Sequence, residues 1–237
     1  MSIELANFPA TDLDKPTIRR TRSAGIAIAT AAVVSTIFVA LDRSGGGTTP
    51  REILQGIAGL ENLKELVHAV AIASVCGMAF GFAALARRLG MHRPEVLAGL
   101  VFYLLGCVAM IGATILDGFV TPHVAVDAIQ TATSPERVAF AYNLVHYLNL
   151  VLNDLAKLGW VLQAAGTFAW SATLLRDRGF SRATGAVGVV SSALVLGLIA
   201  TSSTSLTMTA LLSILVAQLA WNLAAGLLLI RDPSTVA

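Results

Sequence analysis

Six windows of predominantly apolar residues recur along the chain, at about 23–41, 66–86, 96–116, 156–175, 183–202 and 207–230. Each has roughly the 20 residues that a helix needs to cross about 30 Å of hydrocarbon. Gly-rich or charged stretches separate them, notably "DRSGGGTTPRE", "RRLGMHRPE", "DGFVTPH" and "RDRGFSR", which read as breaks between helices. The pattern predicts an all-α, polytopic membrane protein with six transmembrane helices spread over residues 23–231. Residues 1–22 read as a disordered polar tail, residues 232–237 as a second short tail, and the glycines of "SGGG" at 44–47 as a flexible outer loop. The first window is longer than the roughly 7 to 15 apolar residues of a secretory signal, and its polar leader is longer too. It reads as an uncleaved first span.

The stretch ahead of the fourth window departs from this simple alternation. No Pro or Gly interrupts residues 136–158, and Ser134 followed by Pro135 is a helix-start signal, with the serine as cap and the proline in the first turn. A helical extension over 135–155 is therefore expected outside the lipid. Within "NLVHYLNLVLNDLAKLGW" (143–160), Asn143, His146, Asn149, Asn153, Asp154 and Lys157 fall in an arc of about 140° at 100° per residue. Val138, Ala141, Val145, Leu148, Leu152 and Leu155 repeat on the other side. Such a helix packs one face and turns the other to water, headgroups or a polar pocket; on the simplest reading it lies on or above the headgroups.

Composition strengthens the membrane reading. Of 237 residues, 56% are hydrophobic and 13% charged, and the mean hydropathy is +0.76, well beyond an ordinary soluble domain. The net charge of +2 is too small for a nucleic-acid footprint, so no nucleic-acid partner is expected. Cys76 and Cys107 lie inside apolar runs and form no secreted disulfide framework. With the N-terminus inside, eleven of the sixteen basic residues fall in cytoplasmic segments and four in outer ones, with Lys157 the sixteenth. That asymmetry puts both termini in the cytoplasm; a bacterial cytoplasmic membrane is the expected location.

Matching depths then gathers the polar groups on the outer side. His68 stands at the outer start of the second window, on one helical face with Glu61 and Glu65; Asp117 ends the third window, and His123 and Asp127 follow. An outward-facing pocket of His68, Asp117, His146, Asn149, Asn153 and Lys157 is expected, suited to a small polar ligand, a lipid headgroup or a metal ion. His68, His146, Asp117 and His123, with Glu65, offer imidazole and carboxylate ligands for zinc or copper. A haem between His68 and His146 is a further candidate. No single helix supplies two ligands in a recognised metal spacing. Lys157 is expected to pair with Asp154 at the interface, or with Asp117 if drawn into the bundle.

Gln163, Gln218 and Asn222 stand inside the spans, where amides bridge neighbouring helices or line a path. The glycines at 77, 81, 106, 112, 159, 166, 185 and 188 suit close helix packing. There is no GxSxG, GxxxxGK[ST] or HExxH, so the common hydrolase, nucleotide and metalloprotease chemistries have no residues to rest on. Three functional classes follow: a non-enzymatic membrane protein with an outer ligand pocket, in contact with lipids and free to oligomerise; a small transporter or channel component; and a membrane enzyme with an outer metal or haem.

The segment "LNLVLNDLAKLGWVLQAAGTFAWSATLLRDRGFSRATGAVGVV" resembles six-span bacterial membrane proteins of domain-of-unknown-function family 4386. The shared features are a polar, Asn-bearing start, a Trp-containing span, a short basic loop with Gly-Phe, and a Gly-rich span. The resemblance implies a six-helix bundle and brings no activity or site residues.

Overall fold

The computed structural model describes residues 14–42, 45–131, 134–202 and 208–231. Every regular element among them is helical: α1 (Asp14–Leu41), α2 (Pro50–Ala58), α3 (Glu61–Leu89), α4 (Pro94–Ile115), a π-helical turn (Leu116–Val120), α5 (Thr121–Thr131), α6 (Pro135–Leu174), α7 (Phe180–Thr201) and α8 (Met208–Arg231). Five stretches are long and apolar enough to cross a membrane: Arg20–Leu41, Glu61–Leu89, Pro94–Thr131, Phe180–Thr201 and Thr209–Arg231. The chain is thus built as a multi-pass membrane protein. α6, which carries the fourth window, is not among the five.

The six long helices alternate in direction and close a ring. α1 packs on α3 and α8, α3 on α4, α4 on α6, α6 on α7, and α7 on α8. Large apolar side chains cover the outside, with Phe80, Val108, Val190 and Val216 each exposed by 63–67%. Polar groups such as Gln163, Ser191, Ser192 and Asn222 are buried within. An apolar outside around polar groups suits a hydrocarbon solvent, where backbone groups must be satisfied inside the helices and scattered side-chain polarity must turn inward.

The seam that positions the site is α4 against α6. A methyl group at Gly106 would meet the Gly159 carbonyl at 2.8 Å, and one at Gly166 would meet the Gly99 carbonyl at 2.6 Å. Only glycine permits that approach, and it holds Gln163, between two of these glycines, inside the ring. Toward the end that holds both described termini, Phe82 stacks on Trp170 at 5.3 Å and on Trp221 at 6.0 Å, with Tyr103 tilted against Phe82 at 4.5 Å.

At the opposite end, α2, α5 and the first turns of α6 form a cap with its own core of Leu54, Ala125, Ala128, Val138, Ala141 and Val145. The apolar face of 135–155 thus packs in a small helical assembly and does not lie alone on headgroups. α6 begins at Pro135, with the Ser134 hydroxyl accepting from the Arg137 N–H at 3.5 Å. α2 starts with a capping box: Thr49 Oγ1 accepts from the Glu52 N–H at 3.3 Å, and Glu52 accepts from the Thr48 and Thr49 N–H groups. Those bonds hold the Glu52 carboxyl below its ordinary range, as hydrogen bonds to a carboxylate do.

Three expectations need correction. Residues 14–22, expected in a disordered tail, form the first turns of α1; residues 1–13 and 232–237 lie outside the described residues. The stretch "DRSGGGTTPRE" runs into a helix, α2, and the backbone of Gly45 lies against that helix, so that a methyl group there would meet the Ile57 nitrogen at 2.6 Å. Arg43 and Ser44 lie outside the described residues. Finally, "DGFVTPH" does not break the chain. The helix continues through a π turn in which the Thr121 N–H bonds to the Leu116 carbonyl. Pro122 has no N–H to give the usual partner four residues back, and a wider turn ahead of it accommodates that loss.

Candidate functional site

The π turn delivers Asp117 into the ring. A methyl group at Gly118 would collide with the Cβ of His68, so the glycine lets α3 and the turn touch, and it fixes where the His68 ring can lie. Lys64, one helical turn before His68, shares its face. Lys64 Nζ donates to Asp117 Oδ1 at 2.9 Å and stands 3.5 Å from Asp42 Oδ1 at the end of α1. His68 Nε2 lies 3.1 Å from Asp117 Oδ2, and Nδ1 lies 2.7 Å from the Lys64 carbonyl. The two basic side chains are nearly buried, exposed by 8% and 9%, while the carboxylates retain 28% and 32%.

Both ring nitrogens of His68 therefore face acceptors. A proton is needed on each nitrogen, or on one nitrogen and the carboxylate; in either arrangement the His68–Asp117 pair is neutral in sum. Lys64 and Asp42 also cancel. The cluster is a balanced set of four groups, which is what a low-dielectric surrounding demands of buried charge.

Two cavities meet at this cluster. On the cap side, a cavity of about 360 Å³ is lined by Asp42, Lys64, Asp117, Tyr142, His146 and Asn149; we refer to it as the vestibule. Within the ring, a cavity of about 220 Å³ runs from Asp42, His68 and Asp117 to Gln163, Gln218 and Asn222. Asp42 and Asp117 border both.

The expected outer residues are distributed as follows. His68 and Asp117 form the cluster, and His146 and Asn149 line the vestibule beside it. Asn153 is turned to its own helix, where Nδ2 donates to the Asn149 carbonyl at 2.7 Å. The lysine paired with Asp117 is Lys64, not Lys157. His123 is drawn away to Glu65 at 3.1 Å and Glu61 at 3.5 Å, on the rim of the cap. The four proposed metal ligands thus do not converge. Instead two groups have ligand atoms within 4.8 Å of one another: Asp42, His68 and Asp117, and separately Glu61, Glu65 and His123.

In the first group the Lys64 ammonium already stands between the carboxylates, the position a metal cation would take. His68 has both nitrogens engaged, which disfavours axial ligation of haem. Among the described residues no Lys or Arg is ion-paired with the second group, and His123 is 60% exposed. The midplane amides donate to sulfur, Gln163 to Cys107 Sγ at 3.7 Å and Asn222 to Met78 Sδ at 3.4 Å. They do not bond to one another. Cys107 is buried and Cys76 exposed, both as free thiols.

Lys64 and Asp42 were missed at the sequence level. Lys64 four residues before His68 was a usable signal; Asp42 became relevant only once α1 packed against α3. Gly118→Ala is expected to lower stability by about 1–3 kcal/mol, the usual cost of overpacking a filled site, and to move the His68 ring. Thermal unfolding of the detergent-purified protein, with the chemical shift of the His68 ring, checks both.

No family model, curated protein or solved structure matches the chain. The functional reading rests on its own residues.

Proposed function

We propose that the chain is a six-span protein of a bacterial cytoplasmic membrane, both termini cytoplasmic, whose outward cap holds a polar vestibule for a small polar ligand or lipid headgroup. The observation that carries this reading is the balanced Asp42–Lys64–Asp117–His68 cluster at the base of the vestibule, with His146 and Asn149 on its wall. Charged groups brought together from α1, α3 and the π turn, and left partly accessible, are costly to a membrane bundle, and such groups usually mark a binding or transport path. The sixth span is the lower half of α6. It is polar for a span because Gln163, Thr167 and Ser171 are buried within the ring, where α4 and α7 cover them.

A panel of small polar probes, including amino acids, sugars, glycerol phosphate and phosphoethanolamine, tests the reading by thermal stability of the purified protein. A ligand at a hundred times its Kd adds about 2.7 kcal/mol. At least one probe is expected to raise Tm, and His146→Ala and Asn149→Ala to abolish the rise. No rise with any probe, or a rise that both variants keep, overturns it.

The Glu61–Glu65–His123 group supports a second reading, a divalent metal at the cap rim, because three ligands with room for water match an open zinc site. Elemental analysis should then find one zinc per chain, lost in His123→Ala; metal-free protein in zinc-supplemented preparations contradicts it.

A further inference from the structure

The inner cavity carries more than the outer reading uses. Two acceptor atoms on its wall have no hydrogen-bond partner among the described residues: Asp42 Oδ1 at one end, which the Lys64 ammonium approaches only to 3.5 Å, and Asn222 Oδ1 at the other. Asn222 is 6% exposed, and its Nδ2 is committed to Met78 Sδ at 3.4 Å. A thioether sulfur accepts and does not donate, so the amide orientation is set and its oxygen is the free atom. A buried oxygen without a donor is destabilising. Asn222 Oδ1 therefore calls for a hydrogen-bond donor from within the cavity, and Asp42 Oδ1, ion-paired with Lys64 but not hydrogen-bonded to it, can accept a second.

Three further properties narrow what supplies those donors. His68 and Met78 both line the cavity, and their ten-residue separation on α3 is about 15 Å of helix, so it is long. Its middle is apolar, with Val67, Ala71, Val75 and Leu215 on the wall. Its volume, about 220 Å³, is below the roughly 300–1,000 Å³ of sites for drug-sized ligands. The charged cluster at its mouth is already balanced, so a charged guest would bring in an uncompensated charge where the penalty is severe.

We propose that the inner cavity is a ligand site, distinct from the vestibule and reached past Asp42 and Asp117, for a slender uncharged molecule with hydroxyl or amide donors at both ends of an aliphatic middle. The guest enters from the vestibule and comes to rest against Tyr103, behind which Phe82, Trp170 and Trp221 are stacked. It rests on the outward reading of the cap only for the direction of entry; the pairing of donors with Asp42 and Asn222 does not depend on it.

The test is calorimetric binding to detergent-purified, full-length protein of four probes of one chain length: α,ω-hexanediol, hexanol, hexylammonium and hexanoate. α,ω-Octanediol is added to test reach. Partition alone favours hexanol over the diol, so the expected order is diagnostic. The diols should bind about fivefold more tightly than hexanol, the ratio that one net hydrogen bond of about 1 kcal/mol gives, and more tightly than either charged probe. In Asn222→Val the diol preference over hexanol should vanish while hexanol binding is kept. His146→Ala should leave the preference intact; diol binding in a wild-type protein that takes up none of the vestibule probes is a failure of the outer reading alone. Diol and hexanol binding equally to the wild-type protein, tighter binding of a charged probe, or no binding of any probe overturns the inner site. Because the wild-type comparison decides, misfolding of Asn222→Val does not rescue it.

Discussion

Asp117→Asn is expected to lower the stability of the folded bundle by about 3–5 kcal/mol, the cost of removing one partner from a buried ion pair. The reason is what remains: the Lys64 ammonium, 8% exposed, would keep only Asp42 at 3.5 Å, and His68 would lose its carboxylate. Lys64→Met should cost less, because the two carboxylates it leaves behind are 28% and 32% exposed and retain some hydration. The double variant, Lys64→Met with Asp117→Asn, should be more stable than Asp117→Asn alone. A hydrophobic or neutral replacement of a whole buried pair is often nearly neutral, whereas half a pair is not. Equilibrium unfolding in mild detergent reads the order; if Lys64→Met were the more damaging single change, the assignment of Lys64 as the buried partner would be wrong.

The second large effect lies at the end of the ring that holds both described termini. Trp170→Ala should cost about 3 kcal/mol, near the lower end of the range for such truncations. Trp170 is fully buried, stacks on Phe82, and donates from Nε1 to the Val96 carbonyl at 3.1 Å. The lower end applies because lipid tails, unlike water, already solvate apolar surface, so lost packing contacts and the hydrogen bond make up most of the cost. Trp170→Phe keeps most of the ring contact and should lose about 1 kcal/mol through the missing N–H. Comparing the two variants by thermal unfolding separates packing from hydrogen bonding. It also bears on the site, since Tyr103, which lines the inner cavity, is tilted against Trp170 at 5.3 Å.

Much of this architecture is visible in the chain because its signals are local. Apolar windows mark the helices, and Ser134–Pro135 marks the start of α6 through the cap it makes. The phase of His146 and Asn149 also follows from helical geometry, since residues three apart share a face. What was not legible depends on packing. "DGFVTPH" reads as a break because Gly and Pro usually punctuate helices; the contact of Gly118 with His68 and the π register at Thr121 keep it helical. The window at 156–175 is legible as apolar, yet the lower half of α6 falls short of the apolar composition of the five candidate spans, and its polar side chains Gln163, Thr167 and Ser171 are buried. Asp42 stands in a Gly-rich connecting stretch and gains its role only where α1 packs on α3, and Lys64 counts in the sequence only among the basic residues of the outer segments. His123 was grouped with His68 by depth alone, but it points to Glu61 and Glu65 on the rim.

The most direct test of the account is the labelling of a single cysteine at the vestibule wall, His146→Cys in a background of Cys76→Ser and Cys107→Ala, by a membrane-impermeant maleimide in intact cells. The account predicts rapid modification from outside the cell. Modification only after the membrane is permeabilised would place the cap on the inner face and contradict both the orientation and the outward vestibule.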